Sequence, residues 1–127
     1  LETAAIWKGP DVRTTAKDFA RFKDEFRRWQ KLLGLTDWRM RFHHEPLDNN
    51  AAACVTPDCQ ARVSGVYLGF TIDHDVAEAA RHEALELLLA DLGWLPSQRY
   101  VREEEVNVAR HMVIRRLEHL FDERGEK

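Results

Sequence analysis

In the stretch ARHEALELLLADLG, from Ala80 to Gly93, the residues whose types and spacing could do chemistry are His82, Glu83 and Glu86. Residues four apart on a helix point the same way, so His82 and Glu86 can reach one ion, while Glu83, turned by about 100°, lies beside them. Zinc accepts imidazole nitrogen and carboxylate oxygen at nearly equal distances, roughly 2.0–2.2 Å, so the set reads as two ligands and one base. The second carboxylate adds negative charge, which weakens the ion's acidifying effect on a bound water. A catalytic zinc also needs a third protein ligand. His111 is the best-placed candidate, on the flank of a later helix's apolar stripe, with Glu118 two turns along the same flank as a supporting or competing carboxylate. Glu103, Glu104 and Glu105 are also near, although three carboxylates at a helix start suit the dipole without any metal.

These side chains must be held by elements that the hydrophobic pattern marks out. From Thr15, Phe19, Phe22, Phe26, Trp29 and Leu33 recur at steps of three and four, with Thr15 and Asp18 as an N-terminal cap and Gly34 as a stop. TDWRMRFHHEPL switches to period two, Trp38, Met40 and Phe42 on one side and Arg39, Arg41 and His43 on the other. AAACVTPDCQARVSGVYLGFT reads as two more strands joined at Thr56-Pro57-Asp58. Asp75 with Glu78 then reads as a capping box opening a helix to about Leu92, apolar on two sides and therefore sandwiched between layers. A loop, WLPSQRY, leads to a last helix from about Arg102 to Phe121, with Val106, Ala109, Val113, Leu117 and Leu120 facing the core. The expected class is α+β: an N-terminal helix, a small three-stranded antiparallel sheet, then two packed helices.

The sequence of these elements, with ARHEALELLLADL and EEEVNVARHMVIRRLEHLF, resembles the small zincin-type metallopeptidase domains often encoded by phages and bacteria, related in outline to SprT-like proteases. The likeness runs from about Thr15 to Phe121, and HExxE stands where that family carries HExxH. It implies His82 as first ligand, Glu83 as general base and Glu86 in the second ligand's place. His111 falls where similar proteins tend to hold an acidic ligand, so the resemblance implies that His and Glu have exchanged places around a Zn2+ ion. The activity it implies is peptide hydrolysis by a metal-activated water, with a sheet edge aligning the substrate. Tyr67, Tyr100 and several arginines are open candidates for steadying the oxyanion. A zincin-like module that binds protein without catalysis is the alternative, and a nucleic-acid-associated accessory protein a third. Read from the residues alone, HExxE fits an ordinary Leu-rich helix as well.

The remaining signals narrow the field. A chain of 127 residues, 44% apolar, supports one domain, read as residues 15–127 after an extension over 1–14. Its first few residues, beginning at Leu1, are set aside as a tag remnant or processed end. A net charge of −3 provides no general field for nucleic acid or an anionic membrane. Neither a bilayer-spanning run nor a secretory leader is read, so a cytoplasmic location is expected, with peptide or protein as partner and no membrane. Arg39, Arg41 and His43, with Arg27 and Arg28, suit a solvated face better than a nucleic-acid patch. His43, His44, Cys54 and Cys59 suggest a second zinc site only loosely, since Cys-x4-Cys is wider than usual; plain thiols, or a cross-hairpin disulfide, fit better. Oligomeric state is left open by the sequence.

Overall fold

The computed structural model describes residues 12–97 and 102–123; the stretch before Val12, Tyr100 and the side chain of Phe121 lie outside the described residues. In chain order the elements are β1 (Val12–Arg13), α1 (Ala16–Leu32), β2 (Arg39–His44), β3 (Ala53–Asp58), β4 (Val63–Leu68), β5 (Thr71–Ile72), α2 (Val76–Leu88), α3 (Ala90–Trp94) and α4 (Glu103–Glu123). Single 3-10 turns occupy Asp48–Asn50 and Leu95–Ser97.

Helix α1 forms as its pattern requires. Asp18 N donates to Thr15 Oγ1 at 3.1 Å and Thr15 N to Asp18 Oδ2 at 2.9 Å, closing a reciprocal cap. The helix stops where Gly34 takes φ +70°, a conformation that costs glycine little. Phe22 and Phe26 are fully buried, and the Phe42 ring meets Phe26 edge-on at 5.7 Å. Helices α1 and α2 pack on each other, and with Met40, Phe42, Val55, Val66 and Leu68 from one face of the sheet they enclose the core.

The sheet departs from the expected antiparallel arrangement in one pairing. Its order is β2-β4-β3, so the last strand made lies in the middle. The β3–β4 hairpin is antiparallel, but β2 runs parallel to β4, with Phe42 opposite Val66. The loop after β2 carries the chain past the place β4 will take, which puts β3 on the far side. The turn is also shifted. Strand β3 continues through Thr56-Pro57-Asp58, tolerating Pro57 because it is an edge strand. Reversal comes next: Asp58 Oδ1 accepts from Gln60 N and Ala61 N at 3.1 and 3.0 Å, and Arg62 takes φ +58°.

Among the described residues the chain enters through β1, which pairs with β5. Buried Thr14 fastens this entry: its hydroxyl donates to the Gly69 carbonyl at 2.6 Å and lies 2.8 Å from His44 Nε2. One hydroxyl has one proton, so His44 Nε2 is the donor to Thr14 Oγ1.

Helix α2 buries one face only, through Val76, Ala79, Ala80, Glu83, Ala84, Leu87 and Leu88. Leu85 and Leu89 are 39% and 48% exposed, so the helix is not sandwiched. Asp75 stands at its N-cap and its backbone carbonyl accepts from Ala79 N at 3.1 Å, but its side chain does not bond the helix; Arg21 Nη1 donates to the carboxylate at 2.7 Å instead, and the expected box with Glu78 is absent. At Leu89 the backbone leaves helical geometry (φ −93°, ψ 4°), and α3 resumes through Gly93 rather than stopping there. Helix α4 packs on α1 and α3. It turns Ala109, Val113 and Leu120 inward as expected, while Val106 and Leu117 are 38% and 36% exposed.

Arg62 ties these outer pieces together. Its guanidinium donates to Asp37 Oδ2 and Asp91 Oδ1, each at 2.7 Å, and lies 4.2 Å from the Trp38 ring centre. Arg116 of α4 donates to the same Asp37 carboxylate. Burial alone would raise the Asp37 pKa, but these two arginines outweigh it and hold the carboxyl below its ordinary value.

Candidate active site

Helix α2 brings His82 and Glu86 together as the four-residue spacing requires: His82 Nε2 lies 3.3 Å from Glu86 Oε2, with both side chains largely exposed. Glu83 turns the other way. It is 8% exposed and has no hydrogen-bond partner among the described residues. Burial pushes its carboxyl above the usual carboxylate range; His82 pulls it down and Glu86 adds to the rise. The carboxylate oxygens still meet the cleft, since among the described residues Trp38 Nε1 is the buried side-chain polar atom without a partner; a carboxyl so shifted and bordering a cleft marks a candidate reactive group.

The cleft holds about 380 Å³ and is bordered by Ala52, Ala53, His74, Glu78, His82 and Glu83. Its sheet-side wall is β3. Gly69 N donates to the Ala52 carbonyl at 2.7 Å, which sets the phase of the ladder. Because bonding alternates along an antiparallel pair, Ala53 and Val55 direct their N–H and C=O groups away from β4. Among the described residues no strand pairs with that edge. Free backbone groups thus run above a helix that carries an unpaired carboxylate.

His111 does not join this group. It lies exposed on α4, its Nδ1 2.8 Å from the Asn107 carbonyl one turn back. Two positions on a helix span roughly 200°, so burying Ala109 turns His111 to the opposite side. The flank placement expected from the sequence is corrected accordingly. Among the described residues no three His, Cys, Asp or Glu side chains stand close enough to hold a metal ion. His82 and Glu86 supply two of the three protein donors that a catalytic zinc takes, and the described residues do not complete the set.

The other candidates fall elsewhere. Glu118 is exposed on α4. Glu104 and Glu105 lie 3.7 and 3.8 Å from Arg102 Nε, and Glu105 also accepts from Arg102 N, as a helix start would. Tyr67 stacks on His43 with ring centres 4.7 Å apart on the sheet face away from the helices, not in the cleft. Cys54 and Cys59 are free thiols. Sequence reasoning passed over His74, which borders the cleft and pairs with Asp73 at 2.8 Å. Its signal was present, since His74, Glu78, His82 and Glu86 step by four.

Comparison of the chain with protein-family models, with curated proteins and with solved structures returns no match. Among the described residues, no helix is long and apolar enough to cross a membrane.

Proposed function

We propose that this chain holds an extended polypeptide segment along the free edge of β3, above Glu83. The observation that carries the reading is Glu83, a largely buried side chain that borders a cleft also lined by Ala52 and Ala53, beside an edge of β3 that no described strand pairs with. A strand edge recognises a peptide by its backbone, adding one more strand, while the side chains beneath choose among sequences. The zincin-type resemblance supports the same placement of peptide over helix. A peptide pool should slow amide exchange at Ala53 and Val55, whose N–H groups would become bonded. Unaltered exchange at both sites under saturating peptide would remove the reading.

A second reading, hydrolysis of the bound peptide, is favoured by the raised pKa of the Glu83 carboxyl. A carboxylate with a raised pKa is better suited than an ordinary one to take a proton from an attacking water and pass it to the leaving amine. Cleavage of a peptide library, measured with and without added Zn2+, should be lost in Glu83→Gln while binding persists. Equal cleavage by the two proteins rejects Glu83 as base. Zinc belongs to this reading as a proposal, with His82 and Glu86 as donors: its content should fall in His82→Ala and stay unchanged in His111→Ala.

A further inference from the structure

The face of the sheet turned away from the helices carries Arg39, Arg41 and His43 on β2, and a register that sets Arg41 beside Gly65 and His43 beside Tyr67 of β4. Arg39, Arg41 and Thr56 are exposed there. Gly65 makes room for the Tyr67 ring: a Cβ at that position would meet Tyr67 Cε1 and Thr56 Oγ1, each at 2.6 Å. The ring thus lies back along β4, where it stacks on the His43 imidazole with 19° between the planes. Because β2 is an edge strand, no described strand stands beyond His43, and a further flat ring can join the stack from that side.

Cations flank the same edge. From α1, Lys23 Nζ lies 4.8 Å from the Phe19 ring centre and the Arg27 guanidinium 4.8 Å from that of Phe42; Arg13 lies 4.9 Å from that of Phe70. Phe19 and Phe70 in turn pack on His44, the last residue of β2. The edge of β2 therefore runs between Arg13, Lys23 and Arg27 on one side and Arg39 and Arg41 on the other. Among the described residues none of these five is within ion-pair distance of a carboxylate, whereas Arg21, Arg28, Arg62, Arg102 and Arg116 all are. The acids nearest in the chain do not offset them. Asp24 is turned from Lys23 by about 100°, Glu45 follows the end of the strand, and Asp58 accepts from Gln60 N and Ala61 N in the turn after β3. A chain of net charge −3 thus gathers uncompensated positive charge beside a pair of stacked rings.

We infer that this edge and outer face hold a single strand of nucleic acid, its phosphates against Lys23, Arg27, Arg39 and Arg41 and one base stacked on the His43–Tyr67 pair. Charge complementarity calls for a polyanion, and the rings favour one with unpaired flat bases over an acidic polypeptide. Bases in a duplex already stack on one another, so a duplex offers this surface its phosphates alone. Sequence alone assigns Arg39, Arg41 and His43 to a solvated face; the Tyr67 ring and the missing carboxylates are what the fold adds. The surface lies across the sheet from the helices and does not rest on the peptide reading of the Glu83 cleft.

Fluorescence anisotropy with a labelled oligothymidylate of about 15 nucleotides tests the inference. Between about 50 and 200 mM salt, log affinity should fall against log salt with a slope of about −3, roughly 0.7 for each of about four phosphates. Replacing Arg39 and Arg41 together by Ala should bring that slope to about half. Tyr67→Ala should weaken binding roughly ten-fold and keep the slope, while Tyr67→Phe, which retains the ring, should bind as the wild type does. The single strand should also bind more tightly than a duplex of the same length or a polyaspartate peptide. Absence of binding at about 50 mM salt overturns the inference. So does equal affinity in wild type and Tyr67→Ala, equal weakening in Tyr67→Ala and Tyr67→Phe, or polyaspartate or duplex bound as tightly as the single strand. Each of these outcomes leaves the reading of the β3 edge to its own exchange measurement at Ala53 and Val55.

Discussion

At the scale of single residues, Glu83 is where the fold accepts a cost. A carboxyl whose pKa is raised in the folded state keeps its proton longer than in the unfolded chain, so stability declines as pH rises from the ordinary value of 4.5 through the raised one. Glu83→Gln removes that titration. At pH 7 the variant should be more stable than the wild type by on the order of 1 kcal/mol, the scale of a buried group without partners. Thermal melts at pH 7 and below pH 4 check this: the advantage should shrink on the acid side, and a variant equally or less stable at pH 7 would place the unpaired charge elsewhere. The His82–Glu86 pairing was legible in the sequence because helical spacing is local. His111 was not, because a stripe containing Val106 and Leu117 draws the inward face broader than it is. Moving the centre of that face by one residue turns a side chain by about 100°.

At the scale of elements, local signals succeeded and competing partners defeated the rest. Thr15 and Asp18 cap α1 as their spacing implied, since only three residues are involved. Asp75 failed as a cap because Arg21, fifty-four positions earlier, reaches its carboxylate, which no window of sequence displays. The parallel β2–β4 pairing was illegible for a different reason: alternation of apolar residues is the same for either strand direction. The turn after β3 was misplaced because Pro57 suits both a turn and an edge strand, and Asp58 with Arg62 decides between them. Arg62 itself combines two opposed effects, a left-handed backbone costing roughly 1–2 kcal/mol and a side chain bound to two carboxylates. Arg62→Ala should lose about 2 kcal/mol, and Arg62→Gly should recover roughly 1 kcal/mol of it by relieving the backbone. Denaturant melts of the pair separate the two effects; equal losses would mean that the backbone conformation carries no strain.

At the scale of the whole molecule, stability is unevenly distributed. The core joins α1, α2 and the sheet, whereas α4 contributes Ala109, Val113 and Leu120 along one line and leaves Val108 and Ile114 61% and 43% exposed. Such an element opens without the rest. Native-state hydrogen exchange should protect α1 and β4 most and find α4 exchanging earlier, independent of mild denaturant; equal protection throughout would mean that α4 is part of one cooperative unit. Phe26→Ala should by contrast cost about 3–5 kcal/mol and lower every element together.

The middle position of β4 also fixes an order of events while the chain is being made. Strand β2 leaves the ribosome with neither of its edges matched, and its neighbour among the described residues, β4, starts at Val63, nineteen codons behind its last residue, His44. A nascent chain paused anywhere before Val63 therefore owns two strands that cannot pair with each other in the native manner, and Phe42, with Val55, stays within reach of a chaperone until translation moves on.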